Sequence, residues 1–385
     1  MGRAIWCLLV AGALWLFCSL PAGAQQGAAF KEAVDLAGVE GYLNSLDEEV
    51  RKALPGFQFK ELVVKLVRGE LHATPADVLY HLASCVFREV MANASLLGKL
   101  VLLAIICAVL QALTAAFEKG TAGQLTHAVA YLSLVAMAIG PFALAVQVGR
   151  EAVDKMVGFM QALLPIMLTL LVALGNMTSA ALFHPVIIVG VTFIGTLIKN
   201  VALPLIFLAA VLTLAGHLSP QFKVSNLAGL LRTATLWVLG MSGTVFLGLL
   251  AVQGVAGAVG DGLALRVAKF SLDAFVPIVG RMFSDALEAV VSTSLLIKNA
   301  LGVAGMLAAG AIIIAPMLKL ISLAFIFKLA GALIQPVGDA QVADCLSDLG
   351  NSVMVVFAAV ATLGLLFFFA LAILIGVGNL TVMLR

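Results

Sequence analysis

The chain has 385 residues, of which 63% are hydrophobic and only 11% are charged, and its formal net charge is +2. A soluble domain usually carries about 25% charged residues, so this composition excludes an ordinary soluble protein and indicates a polytopic membrane protein that meets the lipid bilayer. The small net charge gives no reason to expect a nucleic-acid partner.

Residues 1–24 have the pattern of a secretory signal peptide. Arg3 supplies the positive charge, AIWCLLVAGALWLFCSL is the apolar core, and AGA at 22–24 is a cleavage site of the A-x-A type. We therefore predict that the signal is cleaved and that the mature chain begins at Gln25. An uncleaved first membrane anchor is the alternative.

Residues 25–95 form a charged stretch with a soluble character. Their apolar residues recur at helical spacing, with Leu36, Val39 and Leu43 in one stripe. The stretch is too short for a large core of its own, so it is expected to pack on the membrane or on a partner. Because it follows a signal peptide, we predict a small helical region outside the cytoplasm.

From residue 96 to 385, apolar runs long enough to cross about 30 Å of hydrocarbon recur along the chain. They predict an all-α, polytopic membrane domain with about seven to nine transmembrane helices. The lower count applies if the two short runs beside Lys199 form a re-entrant pair. An odd number places Arg385 in the cytoplasm. The predicted spans are Leu97–Ala116, Leu125–Val148, Met156–Gly175, Ala180–Ile198, Val201–Leu218, Thr233–Ala256, Leu301–Leu318, Leu320–Gln335 and Val353–Val377.

Small residues recur inside these runs. Gly254, Gly257 and Gly260 follow one another at helical spacing, and the run GVAGMLAAGA comes later. Small residues allow helices to approach closely in a membrane, so we interpret these positions as packing surfaces, with a glycine hinge as the alternative. The GDG at 260–262 is interpreted as a turn signal.

The segment 263–299 concentrates charge in an otherwise apolar chain, and Lys298 lies near its end. Arg281, Asp285 and Glu288 share one helical face, opposite a continuous apolar face. Pro277 is expected to separate two helices, and the pair is too polar to span lipid unaided. We predict an amphipathic or re-entrant pair that meets water or another subunit. Its candidate functional residues are Arg266, Lys269, Asp273, Arg281, Asp285 and Glu288.

Lys328 is a further candidate, because it lies inside a predicted span in the stretch LAFIFKLAGAL. An ammonium group in hydrocarbon is costly, so a lysine within a span is by default a functional candidate. The alternative is that the side chain snorkels to the interface, since Pro336 follows shortly after it.

No catalytic, cofactor-binding or metal-binding residues are predicted. The chain has no G-x-x-x-x-G-K-[ST], no H-E-x-x-H, no G-x-S-x-G and no C-x-x-C, and its histidines are scattered. Without the signal peptide the cysteines are Cys85, Cys107 and Cys345, which form no disulfide framework. A bridge between Cys85 and Cys345 is a minor alternative, and Cys107 is expected to be a packing residue.

A series of motifs from about residue 90 to the C-terminal ending carries a family resemblance. They are AAFEKG, ALFHPVI, TLIKN, VQGVAGAVGDGLALRVAKF, FVPIVGRMFSDA, STSLLIKNALG, LISLAFIFKLAGALIQP and GNLTVMLR. In order and spacing they resemble the stage III sporulation protein AE family. The N-terminal region resembles the family in character more than in motif.

The resemblance implies a role in endospore formation and late forespore gene expression. It implies a multi-pass protein of the mother-cell membrane around the forespore, in a transenvelope channel complex with likeness to secretion systems. The implied partners are the other stage III sporulation A-operon proteins, including a separate ATPase and ring-forming subunits, and a forespore-side channel partner. The family has no established catalytic residues, so the resemblance implies no enzyme.

A secondary permease for a small solute is the alternative function. It is suggested by a weak internal echo, in which QALLPIM (161–167) resembles DAFVPIV (273–279) and TLIKNVAL (196–203) resembles LLIKNALG (295–302). Repeats with broken helices are typical of transporters. The gaps between the paired motifs differ, so the duplication stays a hypothesis.

Overall fold

The computed structural model describes residues 87–116, 121–218, 224–275, 279–336 and 340–383. All regular structure in these ranges is helical, which confirms the predicted all-α fold. The signal peptide and most of the predicted N-terminal region lie outside them. The helices are α1 (Ala94–Ala116), α2 (Thr121–Ala173), α3 (Met177–Leu197), α4 (Leu203–Leu218), α5 (Ser225–Phe275), α6 (Val279–Ile334) and α7 (Ala340–Met383), with a π-helical turn, Ile198–Ala202, between α3 and α4.

Five stretches of these helices are long and apolar enough to cross a membrane, which confirms a polytopic membrane protein. The shortest has 34 residues and the longest has 42. At 1.5 Å per residue they measure about 51–63 Å, well beyond about 30 Å of hydrocarbon, so they tilt or continue past it. The stretches are Ala138–Ala173, Met177–Gly216, Asn226–Val267, Leu301–Ile334 and Gln341–Asn379.

Three of the predicted boundaries between spans are wrong. The charged residues at 150–155 lie within α2, and Lys319 lies within α6, so each boundary falls inside one continuous helix. The runs on either side of Lys199 are likewise joined, through the π-helical turn, into one helical stretch. Charge in an apolar sequence was interpreted as a loop, whereas a helix can present the same charge on its exposed face without ending.

A tight turn reverses the chain between α2 and α3. Gly175 has a φ of 81°, the left-handed conformation that glycine adopts without steric cost. The backbone N–H groups of Gly175 and Asn176 bond to Val172 O and Leu171 O, and these contacts satisfy carbonyls at the end of α2. The α2 and α3 helices therefore run antiparallel from this turn.

The α6 and α7 helices form a long antiparallel pair at the centre of the bundle. Gly302 of α6 contacts Ile375 of α7, and at the opposite end Gly331 lies against the backbone of Ala343. The most apolar stretch of the α7 span is buried to a larger extent than the corresponding stretches of the other four candidate spans. Its core side chains recur every three or four residues and include Val353, Val356, Val360, Leu363, Phe367, Leu371 and Leu374.

Glycines bring α5 against its neighbours, which confirms the packing interpretation. A Cβ atom at Gly257 would lie 2.9 Å from the backbone of Ser179 in α3, and one at Gly254 would lie 3.0 Å from Val377 of α7. These approaches leave no room for a side chain, so the small residues set the distance between the helices.

Candidate functional site

The predicted helix pair at 263–299 consists of the ends of two longer helices. The α5 helix continues to Phe275 and α6 begins at Val279, on either side of Pro277, which lies outside the described residues. Arg266 is exposed on α5. The other five candidates lie on the backbones of α5 and α6, and their side chains are outside the described part of the structure: Lys269, Asp273, Arg281, Asp285 and Glu288.

Lys328 lies on α6, where its side chain is exposed. A Cβ atom at Gly350 of α7 would lie 2.9 Å from the Lys328 Cγ, so the lysine stem lies against α7 where that helix has no side chain. Ile334 ends α6 only six residues later. The placement of Lys328 near the end of its helix and its contact with α7 fit both interpretations, and the functional role stays a prediction.

Asp261 forms a buried polar contact that sequence reasoning missed. Its side chain is 1% exposed, and its two carboxylate oxygens accept the backbone N–H groups of Thr178 at 2.7 Å and Ser179 at 2.9 Å. Both N–H groups belong to the first turn of α3, where a helix has no internal acceptor for them. A residue at the start of the helix normally accepts these hydrogen bonds. Here the local N-cap residue, Asn176, makes no side-chain capping bond. Asp261 of α5, which is far away in the sequence, caps the helix instead.

The interpretation of GDG as a turn was therefore wrong. Gly260, Asp261 and Gly262 lie inside α5, and Gly260 lies against Thr178 of α3, in the close approach that lets the carboxylate reach its N–H groups. A signal was present in the sequence, because Asp261 is an isolated acidic residue in a long apolar run. Such a residue is by default a candidate for a specific buried partner.

A second buried polar cluster joins α6 to α7. Lys298 is fully buried and donates a hydrogen bond to the backbone carbonyl of Ile375 at 3.2 Å, while its ammonium group packs against Gly378. The neighbouring Asn299 amide donates to Asn379 Oδ1 at 3.1 Å. The pairing ties the start of the α6 span to the end of α7. Lys298 was noted in the sequence as part of the charged segment, but its burial was not anticipated.

A cluster of charged side chains lies on the exposed side of α2 and of the π-helical turn that follows α3. Lys199 Nζ donates to both oxygens of Asp154, at 2.7 and 2.8 Å, and both side chains remain partly exposed. The Gln147 amide donates to Glu151 Oε1 at 2.9 Å. Arg150 and Lys155 are exposed nearby and have no ionic partner among the described residues. We call Arg150, Glu151, Asp154, Lys155 and Lys199 the charged belt.

The charged belt interrupts a longer face that carries small and polar residues. At 100° per residue, thirteen exposed positions of α2 lie within about 40° of one direction, and the two outermost are the apolar Val129 and Val172. We call the eleven positions between these valines the α2 stripe: Ser133, Ala136, Gly140, Ala143, Gln147, Glu151, Asp154, Gly158, Gln161, Pro165 and Thr169. Gln161 of this stripe bonds to Thr192 of α3 at 3.3 Å, so the polar character continues onto the neighbouring helix.

The exposed side of α5 has the opposite character. Trp237 is 67% exposed and Val252 is 70% exposed, and similar large apolar side chains continue along the helix. Trp237, Met241 and Val245 border a shallow, open and mainly apolar depression on this side of the helix. We call this set the α5 apolar face: Leu227, Leu230, Leu236, Trp237, Met241, Val245, Leu249, Val252, Val255, Val259, Leu263, Val267 and Phe270.

Within the described ranges, no group of three or more His, Cys, Asp or Glu side chains could hold a metal ion. Cys345 is buried in α7, whereas Cys85 and the side chain of Cys107 lie outside the described part of the structure. The predictions about these two cysteines therefore stay predictions.

Comparison with known proteins identifies the family. The sequence model of the family described as Stage III sporulation protein AE matches residues 57–378. Stage III sporulation protein AE of Bacillus subtilis (strain 168) is 41% identical over 344 residues, which cover 89% of this chain and 86% of that relative. No solved structure matches the chain. The family resemblance of the motifs is thus confirmed, and the chain belongs to the stage III sporulation protein AE family.

Proposed function

We propose that this protein is a non-enzymatic, integral membrane subunit of the transenvelope channel complex between mother cell and forespore. In this proposal it acts in the mother-cell membrane around the forespore and supports endospore formation and late forespore gene expression. The observation that carries the proposal is the match along most of the chain to a sporulation protein, in a bundle with five helices long enough to cross a membrane.

The charged belt supports a role within a complex. A charged side chain at the centre of a bilayer costs about 2.5–3.5 kcal/mol on insertion scales, so exposed charges on a membrane bundle are expected to meet protein or water. Asp154 and Lys199 form such an exposed pair, and Arg150 lies one turn from Asp154 on the same helix. An isolated subunit surrounded by lipid would gain nothing from this surface.

The orientation is part of the proposal. Residues 25–95 would lie between the two membranes around the forespore, and the C-terminus would lie in the mother-cell cytoplasm. The support is the A-x-A cleavage site followed by a charged helical stretch. A Val50→Cys variant should react with a membrane-impermeant thiol reagent in intact cells before engulfment is complete. Reaction only after lysis would contradict the orientation.

Co-purification from sporulating cells tests the proposed complex. The tagged chain should bring down ring-forming subunits and, through them, the forespore-side partner. Asp285→Lys should reach the membrane at normal levels and yet recover less of these partners, because Asp285 lies on the polar face predicted at the start of α6. Normal recovery of every partner and normal spore counts from this variant would contradict a role for that face.

A secondary permease is the second candidate function. It was suggested by the internal sequence echo, and the two proline motifs of that echo lie in different structural settings. The first proline motif, QALLPIM, lies inside α2, whereas the second, DAFVPIV, lies where α5 ends and α6 begins. The two motifs thus occupy different places in their helices. Solute uptake by the purified chain alone, reconstituted in sealed vesicles, would favour the permease over the channel subunit.

A further inference from the structure

The candidate spans are too long for hydrocarbon to surround them over their whole length. The shortest has 34 residues, which corresponds to about 51 Å of helix. Such a helix would fit within about 30 Å of hydrocarbon only at a tilt of about 54°, whereas transmembrane helices tilt by up to about 40°. Hydrocarbon therefore surrounds only part of the bundle, and the depths at which charged residues lie indicate which part.

One layer of charge crosses the middle of the bundle. Gly149 of α2 lies against Val356 of α7, so the charged belt, which starts at the next residue of α2, lies beside this part of α7. Lys319 of α6 lies at the same depth, because Ile313 and Ala324 on either side of it contact α7 above and below this position. The charges of α2 and α6 thus share one depth.

A second layer of charge lies near one end of the bundle. Lys298 of α6 donates a hydrogen bond to the carbonyl of Ile375 in α7. Asp261 of α5 lies near the same end, about two turns beyond Gly254, which contacts Val377. Along α7 the two layers are about 20 positions apart, or about 30 Å, which equals the thickness of the hydrocarbon.

Between these two layers the helices carry no Asp, Glu, Lys or Arg. The segments concerned are 156–173 of α2, the whole of α3, 238–260 of α5, 299–318 of α6 and 357–379 of α7. Their exposed side chains include large apolar ones, such as Val189, Phe193 and Leu249. A charge-free zone of this thickness with apolar side chains on its surface matches hydrocarbon.

The half of the bundle on the far side of the charged belt does carry charge. There α5 has Arg232 and α6 has Lys328, whose side chain is exposed. In the same half α7 has Asp344, which is exposed, and Asp348. The α2 and α4 helices have no such residue on that side, so they do not distinguish the two halves. The three helices that do distinguish them all favour the charge-free half.

We propose that membrane hydrocarbon surrounds the bundle only between the charged belt and the depth of Lys298. We call this part the lipid half and the part beyond the belt the projecting half. The projecting half extends for about 22 Å from Lys319 to the end of α6. Lys328 then lies outside the hydrocarbon. The proposal goes beyond the channel role and holds for either orientation of the chain in the membrane.

The depth of Trp237 supports this placement. On one side of it along α5, Arg232 donates a hydrogen bond to Ser352 of α7. On the other side, Gly243 lies against Leu366. Trp237 therefore lies beside the part of α7 that the charged belt also reaches, and its side chain is 67% exposed. Tryptophan is enriched at this kind of boundary between hydrocarbon and water.

Two leucines of the α5 apolar face provide a matched pair for a test of depth. Leu227 lies in the projecting half and Leu249 in the lipid half, and each is 50% exposed. The mature chain lacks Trp6 and Trp15, so Trp237→Phe allows a single tryptophan to be placed at either leucine. Its fluorescence is then measured in vesicles of phospholipids brominated deep in the acyl chains.

Leu249→Trp should be quenched strongly, and the quenching of Leu227→Trp should be weaker by about threefold or more, because this position lies outside the roughly 30 Å of hydrocarbon. The reverse order would place the hydrocarbon around the projecting half. Equal quenching would centre it on the charged belt. Either result would overturn the proposal.

Lysine at the same two positions gives a second measurement, in sporulating cells. Leu249→Lys should lower the amount of inserted protein by about tenfold or more, because it places an ammonium group in hydrocarbon. Leu227→Lys should insert at the wild-type level. Equal amounts of the two variants, or a larger loss from Leu227→Lys, would overturn the proposal.

Discussion

The α2 stripe and the α5 apolar face are both exposed along long membrane-spanning helices, yet they share almost no chemistry. The side chains of the α5 apolar face are leucine, valine, methionine, tryptophan and phenylalanine, whereas those of the stripe are small, polar or charged. Both helices are apolar enough overall to count as candidate spans. The overall composition of a helix therefore predicts whether it lies in a membrane. The side chains on its exposed face predict whether lipid or something more polar lies against it.

The first test of this comparison is to destabilise the helix bundle that separates the two faces. Asp261 joins α5 to the start of α3, and Asp261→Ala would leave the N–H groups of Thr178 and Ser179 buried without an acceptor. Each such group costs about 1–3 kcal/mol, so we expect a loss of about 3 kcal/mol in the free energy of unfolding. Thermal unfolding in detergent measures it.

An asparagine at the same position is the matched control for Asp261→Ala. Its amide keeps the volume and one acceptor oxygen but turns an N–H donor toward the second backbone N–H, so it should also destabilise the protein. Wild-type stability for Asp261→Asn would contradict the capping role of the carboxylate.

The second way is to place a charge on each face. Val252→Lys puts an ammonium on the α5 apolar face, which should cost about 2.5–3.5 kcal/mol if lipid surrounds it near the bilayer centre. Gln161→Lys puts the same group on the α2 stripe, where we expect less than about 1 kcal/mol. The amount of correctly inserted protein in membranes reports the difference, and equal losses for both variants would remove the contrast between the faces.

The third way concerns the ion pair on the stripe. Exposed pairs contribute about 0.2–1 kcal/mol, so Asp154→Lys should weaken the monomeric chain slightly, and Lys199→Asp in the same chain should restore it. A double-mutant cycle in detergent gives the coupling free energy between the two side chains. A coupling above about 3 kcal/mol would mean that the pair lies in a medium of low dielectric constant, against the exposure on which the comparison rests.

Hydropathy predicted the class of fold and the presence of helices because apolar runs of this length have few alternatives in a membrane. It could not predict where helices continue, since Lys319 and the charges at 150–155 interrupt the apolar pattern without ending the helix. Glycine spacing correctly predicted close packing around Gly257. The glycines on either side of Asp261 led to a wrong prediction for this residue, because GDG is also a common turn sequence.

The candidate site was predicted only in part. The helical setting of Asp285 and Glu288 follows from their spacing, and it agrees with the bounds of α6. The partners of Lys298 and Asp154 lie 77 and 45 positions away in the chain. Contacts at such separations depend on how helices pack, and the periodicity of a single segment contains no information about them.

Fluorescence quenching by brominated phospholipids tests most directly the claim that α5 faces lipid and α2 does not. Trp237 lies on the α5 apolar face, and the other two tryptophans, Trp6 and Trp15, are within the predicted signal peptide. In vesicles, the mature chain should show strong quenching of Trp237. A chain with Trp237→Phe and Gln161→Trp should show weaker quenching, because the ionised and polar side chains of the α2 stripe favour water or protein over hydrocarbon. Equal quenching at both positions would contradict the account.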